Sequence, residues 1–292
     1  MTASRARLAG STALVTGGSD GVGLEIVRML ADAGADVIMP VRNRAKGEAA
    51  IERIRETVRD ARIVLHDLDL ARLDSVDALT AGLREEAAID ICVLNAGVVL
   101  LGDRRRHLTA DGFELHFQTN FLGHAALIRG ILPLLERSRA RVVVQTSIAA
   151  ARARIDWNDL NGARRYSPYR AYAASKLALS LFGLELARRS GRITVNLSHP
   201  GVVPGTAIAA PVRALLPQDL VNWAVHRVGN APATAAQTAF DAATSEADAP
   251  VMFAPSGPFG LWGAPVPRAP FRRFLDADAA ARVWREVDRL LS

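Results

Sequence analysis

Thr12-Ala-Leu-Val-Thr16-Gly17-Gly18-Ser19-Asp20-Gly21-Val22-Gly23 sets the architecture of this 292-residue chain. A short apolar run, Ser11–Thr16, enters a cluster of glycines. A helical pattern follows, with apolar positions at Val22, Ile26, Met29, Leu30 and Ala33, and Gly34 closes it. The order is strand, glycine-rich turn, helix. Such glycines permit a tight turn and let backbone N–H groups approach a pyrophosphate at the helix N-terminus. Gly17, Gly21 and Gly23 are the shaping residues, and Ser19, Asp20 and Val22 share the turn as candidate contacts.

The next strand, Asp36–Val41, ends where a dinucleotide's adenosine ribose is met, about 20 positions past the glycines. An acid there selects NAD. Arg42 and Asn43 stand there instead, with Arg44 and Lys46 close behind. Arginine suits a 2′-phosphate, which favours NADP(H), with NAD(H) as the alternative; the competing reading is a solvated basic loop opening the helix Ala45–Arg59.

A third strand, Ala61–Leu65, runs into Asp69 and Leu70, and Asp69 could accept hydrogen bonds from an adenine amine. The helix Ser75–Glu86 leads to strand Ile89–Leu94 and then Asn95-Ala96-Gly97. Strands alternating with helices at this spacing form right-handed βαβ units, so the expected fold is α/β, a doubly wound parallel sheet of about seven strands with helices on both faces. Ligands on such sheets sit beyond the carboxyl ends of the strands, where the glycine turn, Asp69 and Asn95 all fall.

After a loop at 98–110, a long helix is expected over about 111–137. It contains Asn120, whose buried amide needs partners: it is either a satisfied core residue or a positioner of water and backbone. Strand Arg141–Val144 ends in Gln145-Thr146-Ser147, which puts the Ser147 hydroxyl at a carboxyl edge. A connection at 148–168 precedes the helix carrying Tyr172 and Lys176. Their i, i+4 spacing places both on one helix face. A cation there lowers a phenol's pKa and lets it trade protons as a general acid or base. Only two of the 36 basic residues are lysines, Lys46 and Lys176. The chain otherwise uses arginine, so a compact ammonium has been kept at position 176.

Strand Arg192–Leu197 ends in Ser198-His199-Pro200-Gly201, where His199 reads as shaping the Pro-Gly turn rather than as a base. Residues 202–231 are rich in Pro, Ala, Leu and Val. They read either as a lid over an apolar pocket or as an ordinary surface helix pair. A helix at 233–245, a last strand near 250–254 and a final helix at about 276–291 complete the chain. With no repeat and no linker, residues 1–292 read as one domain with a C-terminal extension at 255–292.

The net charge is +6 and half the residues are hydrophobic. The arginines are scattered through periodic segments without interleaved aromatics, which argues against nucleic acid. Cys92, the only cysteine, reads as a buried thiol in a reducing compartment. The histidines lack paired ligand spacing, so no metal site is expected. No stretch approaches the ~18 apolar residues of a membrane span, and the start has no signal-peptide core; a cytoplasmic protein is expected.

In this order, Thr16-Gly17-x3-Gly21-x-Gly23, Asp69, Asn95-Ala96-Gly97, Asn120, Ser147, Tyr172-x3-Lys176 and Pro200-Gly201 resemble the short-chain dehydrogenase/reductase family over nearly the whole chain. Val41-Arg42-Asn43, Leu68-Asp69-Leu70-Ala71, Asp159-Leu-Asn161 and His199-Pro200-Gly201-Val202-Val203 are similar to its retinol-dehydrogenase-like and protochlorophyllide-reductase-like branch. So is the separation of 25 positions between Ser147 and Tyr172. The resemblance implies a single Rossmann domain and an NADP(H)-dependent carbonyl or alcohol oxidoreductase acting on an apolar small molecule. Tyr172 would be its proton donor, Ser147 the hydroxyl on the carbonyl oxygen, Lys176 the ribose ligand and Asn120 the holder of a relay water. The glycine turn, Arg42, Asn43, Asp69, Leu70, Asn95, Ala96, Gly97, Pro200, Gly201 and Val203 would meet the cofactor. It also implies a homodimer or homotetramer paired through the helices at 111–137 and 170–189. Gln145-Thr146 replaces the serine that many members place before this position. Two rivals keep the scaffold: a C=C reductase and a non-catalytic dinucleotide-sensing regulator.

Overall fold

The computed structural model describes residues 7–203, 229–247 and 250–292. Among the described residues, eight strands form one sheet in the order β3-β2-β1-β4-β5-β6-β7-β8. They are β1 (Thr12–Val15), β2 (Asp36–Val41), β3 (Ile63–Asp67), β4 (Ile91–Leu94), β5 (Arg141–Gln145), β6 (Thr194–Ser198), β7 (Met252–Pro255) and β8 (Pro265–Arg268). β1 lies between β2 and β4, each parallel to it. The chain thus moves outward one way through β3, then returns past β1 and moves the other way. The reversal leaves a crevice at the carboxyl ends of β1 and β4.

Helices cover both faces. α1 (Gly21–Asp32), α2 (Arg44–Arg55) and α6 (Pro232–Thr244) lie on one side, where Ile26, Val27, Leu30, Ala236 and Ala239 pack against Val15, Met39 and Val93. On the other, α3 (Leu73–Leu83), α4 (Gly123–Arg137) and α5 (Pro168–Ser190) bury Leu79, Ile128 and Leu179 against Leu14, Cys92, Val142 and Val195, and α7 (Ala277–Leu290) packs on α5. Strands buried on both faces explain the near-continuous apolar runs of β1, β4 and β5.

Two elements differ from the sequence expectation. The sheet has an eighth strand, and it is antiparallel, with Phe253 opposite Pro267 and Ala254 opposite Val266. Prolines at 265 and 267 hide a strand from sequence pattern, yet an edge strand tolerates them and they blunt the exposed edge. Second, the long helix starts later and is not uniform. A single turn, Leu115–Phe117, opens into a π-helical stretch, Gln118–Leu122, before the α-helical body of α4, Gly123–Arg137. Such widened turns concentrate at functional positions, and Asn120 sits inside this one.

The C-terminal extension is bound to the rest by aromatic contacts. Phe117, Phe121, Phe182 and Trp284 follow one another at centroid spacings of 5.3, 6.3 and 5.1 Å, the last pair stacked. Arg189 lies over the Trp284 ring at 4.9 Å, and Arg129 of α4 pairs with Asp288 of α7 at 2.6 Å. α7 therefore packs on α5 and is tied to α4 by this ion pair.

Candidate active site

At the carboxyl end of β1 the chain turns through Gly17, with φ of 68°, and enters α1 at Gly21. A Cβ on Gly23 would stand 2.0 Å from the Gly17 carbonyl oxygen, so only glycine closes this turn. The Asn95 amide fastens it from β4, donating to the carbonyls of Thr16 at 2.9 Å and Gly17 at 3.2 Å. Asp20 caps α1 by accepting from the Gly21 N–H at 2.7 Å.

A cleft of about 750 Å³ opens beyond this turn. Gly17, Ser19, Asp20, Gly21, Val22, Gly23, Arg42, Asp69, Leu70, Asn95, Ala96, Gly97 and Val203 all line it. Asn43 does not; its side chain accepts from the Lys46 N–H at 3.0 Å and caps α2. The basic residues after β2 divide by partner. Arg44 leans toward Glu48 and Asp67, at 3.6 and 3.8 Å, whereas Arg42 has no ion pair among the described residues. Thr119 was missed by sequence reading. It lines the same cleft, and its buried hydroxyl has no hydrogen-bond partner among the described residues. A glycine cradle that a Cβ would fill, an unpaired arginine and an orphaned hydroxyl fit a phosphorylated dinucleotide.

Tyr172, Lys176 and Ser147 do not line this cleft; all three are buried, with Lys176 behind the cleft residue Gly97. Tyr172 is 3% exposed and its phenol lies near the Ser147 hydroxyl. Burial raises the phenol's pKa, and the neighbouring Ser147 hydroxyl opposes that rise. Lys176, also buried, donates to the Gln145 carbonyl at 2.9 Å, and burial lowers its pKa to about 8. The shift of the Tyr172 phenol is thus upward, opposite to the direction that the lysine spacing suggested. Desolvation disfavours both charged forms, and it outweighs the helix spacing that suggested the pairing. Gly97 joins this group to the cleft: a Cβ there would lie 3.4 Å from the Lys176 ammonium and 3.1 Å from Asn120 Oδ1.

The Asn120 amide is fully used. It donates to the Val98 carbonyl and to Ser175 Oγ, at 3.1 and 3.0 Å, and accepts from the Val98 N–H at 2.7 Å. Ser175 in turn donates to the Tyr172 carbonyl at 2.7 Å. The side chain is thus a positioner of backbone.

Beyond β6, Gly201 adopts φ of 77° beside the Leu261 carbonyl, and Asn230 ties the Pro200 carbonyl to the Gly263 N–H. Neither Pro200 nor Gly201 lines the cleft, although Val203 does. The His199 ring is buried, and burial lowers its pKa to about 4, which suits a neutral turn residue. The candidate lid at 202–231 lies outside the described residues apart from its two ends.

A glycine turn, an Asn95 clasp and a Ser147–Tyr172–Lys176 group on one crevice define a dinucleotide-dependent dehydrogenase by class. The sequence profile described as short chain dehydrogenase matches residues 11–216, and the chain belongs to that family. Within it the chain is retinol-dehydrogenase-like. It is 37% identical to mouse (Mus musculus) retinol dehydrogenase 14, with 81% of this chain and 74% of that protein covered. Human (Homo sapiens) retinol dehydrogenase 13 is 35% identical, with 99% and 86% covered. Among solved structures, an uncharacterized protein from Mycobacterium paratuberculosis superposes with a TM-score of 0.76 at 33% identity, covering 97% of this chain and 94% of that one. The Pseudomonas aeruginosa RhlG/NADP active-site complex gives 0.66 at 29% identity, covering 85% and 94%.

Proposed function

We propose that the protein is an NADP(H)-dependent oxidoreductase that moves a hydride between nicotinamide and the carbonyl or alcohol carbon of an apolar small molecule. The observation that carries this reading is the buried Tyr172 phenol near the Ser147 hydroxyl, with buried Lys176 behind Gly97 of a cleft shaped for a dinucleotide. The apolar substrate class is supported by relatives named for retinol, and NADP by the RhlG complex.

In this reading the glycine turn holds the pyrophosphate, with Ser19, Asp20 and Val22 alongside. Arg42 meets the 2′-phosphate, Asp69 and Leu70 the adenine, and Asn95, Ala96, Gly97 and Lys176 the ribose side; Pro200, Gly201 and Val203 flank the nicotinamide. When bound, the cofactor supplies or accepts the hydride. The chain's own residues manage the proton. Tyr172, held protonated by burial, is suited to donate to the carbonyl oxygen as it gains charge. Ser147 donates to the same oxygen and stabilises the developing alkoxide. Lys176 places a cation beneath both, and Asn120 fixes the backbone on which they stand. The reading takes the chain as one domain in the cytoplasm, where a lone buried thiol such as Cys92 needs no partner.

The test is NADPH and NADH binding to the purified protein, then loss of nicotinamide absorbance with retinal, aliphatic and aromatic aldehydes, ketones and quinones. Turnover with NADPH that falls by at least about 10³-fold in Tyr172→Phe supports the reading. Products that keep the carbonyl and lose a C=C bond would replace it with the reductase alternative. Tight binding with no turnover on any probe would favour the sensor.

A further inference from the structure

His124 lies fully buried in the first turn of α4, four residues past Asn120. The functional reading gives it no role, yet its two ring nitrogens add a second tie between the glycine turn and the Asn120 stretch, beside the bonds from Asn120 to Val98. Nδ1 is 3.1 Å from the Asn120 main-chain carbonyl, and Nε2 is 2.9 Å from Thr16 Oγ1.

The direction of these bonds follows from chemistry. A carbonyl oxygen only accepts, so Nδ1 carries a proton and donates to Asn120. Burial pushes the imidazole's pKa down to about 3, with the nearby Lys176 charge adding to that, so the ring is neutral and Nε2 is an acceptor. The Thr16 hydroxyl is then the donor to Nε2. Its remaining alternative acceptor, the Val93 carbonyl, is farther away at 3.3 Å. With its hydrogen directed at His124, the Thr16 oxygen keeps its lone pairs for the Asn95 and Ala96 N–H groups, at 3.0 and 3.1 Å.

These bonds form one unbroken line. It begins at the backbone of Asn95 and Ala96 beside the glycine turn and passes through Thr16 and His124 to Asn120. From there the Asn120 amide continues to Ser175, which holds the Tyr172 carbonyl. In the π-helical stretch backbone N–H groups reach back five residues, as Gly123 does to Gln118, and the imidazole gives the Asn120 carbonyl a side-chain donor.

We propose that neutral His124 is a positioning residue: a strut that sets Asn120, and through it the helix bearing Tyr172, at a fixed distance from the dinucleotide turn. It touches no reacting atom. The inference rests partly on the functional reading for its kinetic consequence, but the strut itself can be tested without turnover.

The first experiment is ¹⁵N NMR of the histidine-labelled protein, with the His124 signals identified by their loss in His124→Phe. The strut requires the Nδ1–H tautomer and no titration between about pH 5 and pH 8. A ring that titrates there, or that carries its proton on Nε2, overturns the proposal whatever the kinetics show. The second experiment compares kcat for NADPH-dependent reduction of retinal with the NADPH Kd. A displacement of about 1 Å costs up to ~10²-fold in rate. His124→Phe should therefore lower kcat by about 10- to 100-fold while the NADPH Kd moves less than about threefold. Thr16→Val should lower kcat too, Thr16→Ser should recover most of that loss, and the double variant should be no worse than the poorer single one. A merely structural histidine would lower the melting temperature without this split, and its losses would multiply with those of Thr16→Val. Equal falls in binding and kcat, or multiplying losses, refute the strut. Wild type that binds NADPH but reduces no probe refutes the functional reading instead, and leaves the NMR result to decide the strut.

Discussion

The Lys176 ammonium donates to the main-chain carbonyl of Gln145 across 2.9 Å, so the last residue of β5 anchors the one buried cation of the site among the described residues. Thr146 and Ser180 complete the attachment: Thr146 and Ser180 hydroxyls lie 2.8 Å apart, and Ser180 donates to the Lys176 carbonyl. The helix and the strand are therefore tied at both the head and the backbone of Lys176.

This anchoring does not repay the cost of burying the charge. Lowering the lysine pKa from 10.5 to about 8 corresponds to a penalty on the order of 3 kcal/mol for the charged form. Between about pH 8 and 10.5 the unfolded chain holds a proton that the folded chain has lost. The penalty is therefore full below pH 8 and fades as pH rises through that window. In the absence of cofactor, Lys176→Met should be more stable than wild type by about 1–2 kcal/mol below pH 8, after subtracting the hydrogen bond lost at Gln145. That advantage should vanish by about pH 10. Denaturant unfolding of both proteins across pH checks it; a wild type that is the more stable at pH 6 would show the anchor to be the larger effect.

Arg42 lines the cleft without an ion pair among the described residues. A charge-assisted bond to a phosphate is worth about 1.5–3 kcal/mol. Arg42→Asp should raise the NADPH Kd by about 100-fold or more, since it also adds repulsion, and leave NADH within about threefold. Fluorescence titration with the two cofactors reads the difference, and equal losses would remove the 2′-phosphate role.

Two glycines should answer an added methyl in opposite ways. At Gly23 it meets the Gly17 carbonyl oxygen at 2.0 Å, so Gly23→Ala must deform the turn. We expect a loss of about 3 kcal/mol in stability and no measurable NADPH binding. At Gly82, inside α3, an added Cβ meets nothing within 4 Å. Gly82→Ala should stabilise the fold by about 0.5–1 kcal/mol with cofactor binding unchanged.

Trp284 joins α7 to α5 through its stack on Phe182 and its contact with Arg189. Trp284→Ala should cost about 2–3 kcal/mol, and Trp284→Phe, which keeps the stack, about 1 kcal/mol or less. Thermal unfolding separates them; identical melting temperatures would mean that the helix is held chiefly by Ala280, Val283 and Val287.

The parallel sheet was legible because each strand buried on both faces is a dense apolar run ending in glycine or a polar residue. The glycine turn, Asp69, Asn95 and the Tyr172–Lys176 helix followed from that order. Other features depend on contacts between distant segments. β8 carries alternate prolines and gains its place only by pairing with β7. The widened turn at Asn120 is invisible because Phe117, Phe121, Leu122 and Ala125 keep an ordinary helical rhythm through it. Asn43 stands where a ribose contact was expected, but an asparagine just before a helix satisfies that helix's free N–H groups first. Spacing alone put Lys176 beside Tyr172; how deeply both are buried decides their protonation, and a sequence does not state burial depth. The strut through His124 links residues 108 positions apart, with no periodic signal at either end.

α7 packs on α5 and is tied to α4 through Arg129 and Asp288, and these are the helices through which the resemblance implied pairing. A partner arriving there would first have to displace a segment tethered to the same chain. Tethering sets that segment's local concentration, near millimolar for a short link and independent of how much protein is present. Dilution cannot strip this cover, and a second copy, at micromolar levels, competes for the face at a large disadvantage.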